Sequence, residues 1–102
     1  MSEKILQVNF KFNVSGTEYE QAASELADEF AKLDGLIWKV WTINEGNSEA
    51  GGIYLFKNES LLDAYLSGPL ASQVKSHPAL SEMNAKIFDV MPKQTKITRG
   101  PI

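Results

Sequence analysis

The stretch GLIWKVW, residues 35–41, decides how this chain folds. It sets two tryptophans and a lysine into what otherwise looks like a buried strand. On an extended chain successive side chains point to opposite faces, so Trp38 and Trp41 cannot share one. Ile37, Lys39, Trp41 and Ile43 fall on one side; Leu36, Trp38 and Val40 fall on the other. Both sides are rich in apolar groups, and each therefore needs a cover.

The flanking segments suggest the covers. Ile5 to Asn13 alternates, with Leu6, Val8, Phe10 and Phe12 on one face and Gln7, Asn9, Lys11 and Asn13 on the other, the pattern of a half-buried strand. Thr17 and Glu20 stand at capping-box spacing and open a helix. Its Tyr19, Ala23, Leu26, Phe30 and Leu33 recur at helical intervals, while Glu18, Glu25, Asp28 and Glu29 form a solvated face. Gly35 is a natural stop for that helix. Leu36 to Asn44 reads as a second strand. The turn EGNSEA joins it to a third, Gly51 to Lys57, which is apolar on both faces. Its Gly51–Gly52 lead-in reads as a hairpin device or a close backbone approach. Asn58 caps a second helix, ESLLDAYLS, which Gly68 and Pro69 end. A shorter helix over 70–76 stops before Pro78, and AKIFDV, residues 85–90, makes a fourth strand. The tail, 91–102, is polar and aperiodic, and reads as a loose end or as an arm that reaches a partner.

This order predicts a single α+β domain over 1–102, a ferredoxin-like βαββαβ unit with its helices on one face of the sheet. The second face is left over. A buried tryptophan removes about 150–250 Å² from water. At roughly 25 cal/mol per Å² that is on the order of 4–6 kcal/mol as an upper bound. The expectation is a homodimer in which a second copy covers this face by sheet-to-sheet packing. One tryptophan then belongs to the helix-side interior and the other to the face that the partner closes.

Composition narrows the function classes. At 43% hydrophobic and 23% charged residues the make-up is that of a soluble globular protein. A net charge of -3 argues against a general nucleic-acid binder. The lack of cysteine excludes disulfides and thiolate chemistry, and the single histidine, His77, excludes a multi-histidine metal cluster within one chain. MSEKILQVNF lacks the apolar core of a signal peptide and no run approaches a membrane span, so a cytoplasmic location is expected.

Together the runs LQVNFKFN, GLIWKVWTINEGNSEAGGIYLF and AKIFDV resemble the YdhR-like proposed monooxygenases, within the dimeric α+β barrel group that includes the antibiotic-biosynthesis monooxygenases. The resemblance spans roughly residues 5–90, and its specific part is Trp-Lys-x-Trp followed by Gly-Gly-Ile-Tyr-Leu-Phe. It implies a dimeric barrel of ferredoxin-like protomers and oxidation of a small aromatic or quinol-like substrate without metal or flavin.

Such chemistry needs a pocket that orients an electron-rich substrate, favours its deprotonated form and excludes water. Trp38, Trp41 and Tyr54 are the candidate walls, and Asn9 is a candidate substrate contact. Lys39 and Tyr54 are the candidate catalytic groups, with Lys39 or Asn9 placed to stabilise an oxyanion. Each has a plainer reading: core or interface packing for the aromatics, a solvated amide for Asn9, an ion pair with Glu45 or Glu49 for Lys39. His77 reads first as a helix-terminal histidine and second as a general base. Two other functions compete. One is a non-catalytic small-molecule-binding or stress-related module. The other is haem binding through Asn9, a tryptophan and His77.

Overall fold

The computed structural model describes residues 2–102. Its chain runs β1 (Lys4–Phe12), α1 (Gly16–Ala31), β2 (Leu36–Asn44), β3 (Glu49–Phe56), α2 (Glu59–Leu66), α3 (Pro69–Lys75), β4 (Leu80–Asp89) and α4 (Pro92–Ile97). The four strands form one antiparallel sheet in the order β2-β3-β1-β4, the ferredoxin-like α+β arrangement.

The alternation of β1 orients the sheet. Leu6, Val8, Phe10 and Phe12 are buried and join Tyr19 and Phe30 of α1, Leu62 and Tyr65 of α2 and Ala71 of α3 in one core. This is the front of the sheet. Local chemistry starts α1 two residues earlier than the Thr17–Glu20 spacing predicts. Ser15 is the N-cap: its Oγ accepts from the Glu18 N–H at 3.1 Å, and Glu18 Oε1 accepts from the Ser15 N–H at 3.2 Å. Both pairs satisfy the same motif. Only the earlier one puts Val14 before the cap and Tyr19 at the fourth helical position, where a hydrophobic staple forms. At the far end Lys32 is the C-cap. Gly35, at φ 86°, turns the chain into β2 rather than ending the helix.

The simple alternation of β2 fails at its start. Leu36 lies opposite Phe56 and Trp38 opposite Leu55, so two steps on β2 match one on β3 and Ile37 is an extra residue. The bulge separates Leu36, which packs on the front core, from Trp38. After it, Lys39 pairs with Tyr54, Trp41 with Gly52 and Ile43 with Ala50, all on the front. Trp38, Val40, Ile53 and Leu55 point to the rear.

The rear is partly covered by the chain's own end. Residues 91–102 are ordered rather than loose: α4 follows Met91, and the segment then reaches from the β4 edge to β2. There Pro101 O accepts from Trp38 Nε1–H at 2.8 Å. Leu55, on the same face, is fully buried although it stands outside the front core. Farther along, Val40 remains 52% and Phe88 47% exposed.

Candidate functional site

Four residues singled out in the sequence, Lys39, Trp41, Tyr54 and His77, line one cavity between the front of the sheet, α1 and the segment after α3. Its volume is about 40 Å³, and Phe10, Val14, Tyr19 and Leu26 supply apolar wall. Trp38 and Asn9 are on the opposite face of the sheet and do not reach it. For Trp38 the bulge at Ile37 and the bond to Pro101 fix that placement; for Asn9 the cause is the alternation of β1, which pairs it with Gly51 and Asn84.

Lys39 is the unusual member. Its Nζ lies 3.5 Å from the ring centroid of Phe30, 3.4 Å from that of Trp41 and 4.5 Å from that of Tyr54. No carboxylate pairs with it among the described residues, where the ion pair present is Lys4–Asp89. The expected partners Glu45 and Glu49 are out of reach because they follow at the far end of the β2–β3 hairpin, whereas the arm of Lys39 runs inward beneath α1. Burial without a counter-charge lowers its pKa from the ordinary 10.5 to about 7. The ring faces act against that shift, each cation–π contact favouring the ammonium by about 0.5–2 kcal/mol. Gly52 makes the placement possible: a Cβ there would stand 2.8 Å from Lys39 Cε and 3.2 Å from the Tyr54 ring.

Tyr54 is clamped. Its ring stacks on Phe56 and meets Phe30 edge-on, and its hydroxyl lies 3.5 Å from that of Tyr65. Burial, then the neighbouring Tyr65, pushes its pKa upward, so the phenol keeps its proton. His77 follows α3. Its Nδ1 accepts from the Ala79 N–H at 3.1 Å, which places the proton of the neutral ring on Nε2. The ring therefore makes a local turn instead of bonding the helix-end carbonyls. Asn9 and His77 sit on opposite sides of the sheet, so the residue set considered for haem does not assemble.

Trp41 is also a boundary. It is 37% exposed and meets Phe30 edge-on, with centroids 5.4 Å apart. Beyond it lies an open groove of about 350 Å³ bordered by Tyr19, Glu20, Ser24, Thr42 and Glu45. Sequence reasoning missed Phe30 as part of this site. Its place on the apolar stripe of α1 signalled burial, but nothing in the sequence says that this stripe meets Lys39.

A family model described as "Putative mono-oxygenase ydhR" matches residues 5–101. The chain belongs to this ydhR family. The match runs through His77 and the tail, beyond the motifs that first suggested it. No curated protein matches the chain. Among solved structures, this ydhR-family chain is similar to SnoaB, a cofactor-independent oxygenase from Streptomyces nogalater, with 16% identity, coverage of 88% of this chain and 94% of that one, and a TM-score of 0.72. It is similar to a possible oxidoreductase from Bacteroides thetaiotaomicron, with 23% identity, 87% and 98% coverage and a TM-score of 0.68. A protein from Deinococcus radiodurans described as "a putative antibiotic biosynthesis monooxygenase" gives 10% identity, 85% and 91% coverage and a TM-score of 0.70. At these identities the likeness is one of fold. No helix among the described residues is long and apolar enough to cross a membrane.

Proposed function

We propose that the protein is a cofactor-independent monooxygenase acting on a small aromatic or quinol-like substrate. The observation that carries this reading is the convergence of a carboxylate-free lysine, two aromatic walls and a histidine on one apolar cavity. The substrate lies in the outer groove with its acidic carbon or hydroxyl toward Trp41, and rotation of that half-exposed indole joins groove and cavity. Neutral Lys39 takes the substrate proton. The ammonium formed then holds the anion by charge while the anion passes an electron to oxygen. For an anthrone-like methylene the balance is R₂CH₂ + O₂ → R₂C=O + H₂O. Apolar walls keep water from the intermediate.

A homodimer completes the reading. The tail covers only the Trp38–Leu55 end of the rear face, and the exposed Val40 and Phe88 are left for a second copy. A cytoplasmic location goes with it.

Oxygen uptake with anthrone tests the activity. Lys39→Met should lower the rate at least about a hundredfold, the lower end of what a positioned general base contributes. Glu29→Gln, on the solvated face of α1, should leave it unchanged. The rate should rise with pH through about 7, as Lys39 loses its proton. Binding without turnover across anthrones and quinols would favour the non-catalytic module instead. Sedimentation that finds only folded monomers at micromolar concentration would sink the dimer.

A further inference from the structure

The amine of Lys39 has a chemistry that oxygenation does not require. Its arm crosses the bare backbone of Gly52, its head is enclosed by the rings of Phe30, Trp41 and Tyr54, and among the described residues no carboxylate holds it as an ion-pair partner. His77 borders the same cavity and keeps Nε2–H free, because its Nδ1 is engaged by the Ala79 N–H. An unpaired amine in an apolar cavity beside a hydrogen-bond donor is set up as a nucleophile. We infer that Lys39 captures a small apolar aldehyde as a reversible imine, with His77 Nε2–H polarising the carbonyl oxygen.

The step balances without oxidant or reductant. The nitrogen lone pair attacks the carbonyl carbon; the C–N bond forms as the C=O π pair moves to oxygen. One amine proton transfers to that oxygen, giving the carbinolamine. Loss of the second amine proton with the hydroxyl releases water and leaves C=N. The net change is aldehyde plus amine to imine plus water. Cavity size selects the partner, since about 40 Å³ admits a chain of a few carbons but not an aromatic ring. Trp41, shared with the outer groove, is on the side of entry.

The surroundings keep the amine available. The titratable groups around it are Tyr19 from α1, Tyr54 from β3, Tyr65 behind Tyr54 on α2, and His77. Burial raises the pKa of all three tyrosines, so none is an anion near neutrality that would hold an ammonium. With its own pKa near 7, Lys39 is about half neutral at that pH, against ~0.03% for an ordinary surface lysine.

Treating the full-length wild-type protein with propanal and cyanoborohydride at pH 7, followed by peptide mapping, tests this directly. The propyl group should accumulate on Lys39 at least tenfold faster than on the exposed Lys32, Lys57 or Lys93. That preference should vanish in urea, and His77→Ala should slow labelling at Lys39 alone. Labelling of Lys39 no faster than of the surface lysines, or a preference that survives unfolding, would overturn the inference. Equal labelling of Lys39 with and without His77 would overturn the role given to the histidine. The reaction is run under nitrogen without any aromatic substrate. A failure of oxygen uptake and a failure of imine formation are therefore separate results.

Discussion

Trp38 and Trp41 stand three positions apart on one strand and face opposite problems. Trp41, on the front, shares a lysine with Phe30 and Tyr54 and closes a cavity. Trp38, on the rear, gives its indole proton to Pro101 and is pinned by the chain's own end. On the front a charge is enclosed with no counter-charge; on the rear a polar atom is satisfied and the neighbouring apolar surface is only partly covered. A strand with two greasy faces need not bury them for the same purpose. Here one face has room and titratable groups, and the other has a strap. The first is where chemistry can occur.

The largest expected effect comes from breaking the front. Phe30 is almost fully buried and touches the rings of Trp41, Tyr54 and Tyr65 as well as the Lys39 ammonium. Phe30→Ala should cost about 3–5 kcal/mol, the range for emptying an aromatic from a packed core. Urea unfolding measures it. A loss below about 1 kcal/mol would mean that the cluster collapses around the gap and that its packing is not what holds Lys39.

Breaking the rear should cost less. Truncation after Val90 uncovers Leu55 and the Trp38 indole, and about 2–3 kcal/mol of stability should go with one leucine and part of a tryptophan returned to water. In a Trp41→Phe background the remaining tryptophan emission should shift to the red on truncation. Emission that stays where it was would show that the tail does not shield Trp38.

Lys39→Met sharpens the contrast through pH. In the folded state Lys39 loses its proton near 7, in the unfolded chain near 10.5. Between those values the unfolded state holds more protons, so the stability of the wild type rises as pH increases from about 7. Below that both states are charged and the full burial penalty stands. Methionine removes the penalty. The variant should therefore be more stable than wild type by about 2 kcal/mol at pH 6, with the gap narrowing toward pH 9. A gap that does not change with pH would mean that the ammonium is solvated or that the rings fully offset its burial.

Much of this arrangement was legible in the chain. Period-two alternation in β1 and the helical stripe of α1 gave the strand and helix that make the front core, and the strand-helix order gave the topology. Lys39, Trp41, Tyr54 and His77 stood out because a charge among apolar residues and a lone histidine are visible as types. Their convergence was not, because it depends on which helix and turn pack over the front of the sheet. Nor was the bulge. Ile37 adds one residue that no pattern of hydrophobicity marks, and it moves Leu36 from the company of Trp38 to the front core. The tail misled for a different reason. PKQTKITRGPI forms less than two helical turns, too short for periodicity to register, and its anchor is a backbone carbonyl that any residue carries.

The start of α1 gives the smallest test and bears on the front alone, because α1 forms its lid. Ser15 with Glu18 and Thr17 with Glu20 are equally good capping boxes on paper. In the fold only Ser15 is bonded to the N–H three residues on, and the choice sets the rotation of α1 that aims Tyr19 and Phe30 at the sheet. Ser15→Ala should cost about 1 kcal/mol, the ordinary value of a lost N-cap, while Thr17→Ala should stay within about 0.5 kcal/mol of wild type. If the two costs were reversed, α1 would begin two residues later and turn about 200° relative to its cap, since each residue advances the helix by about 100°. Tyr19 would then leave the cavity wall, and the front would lose the enclosure on which Lys39 depends.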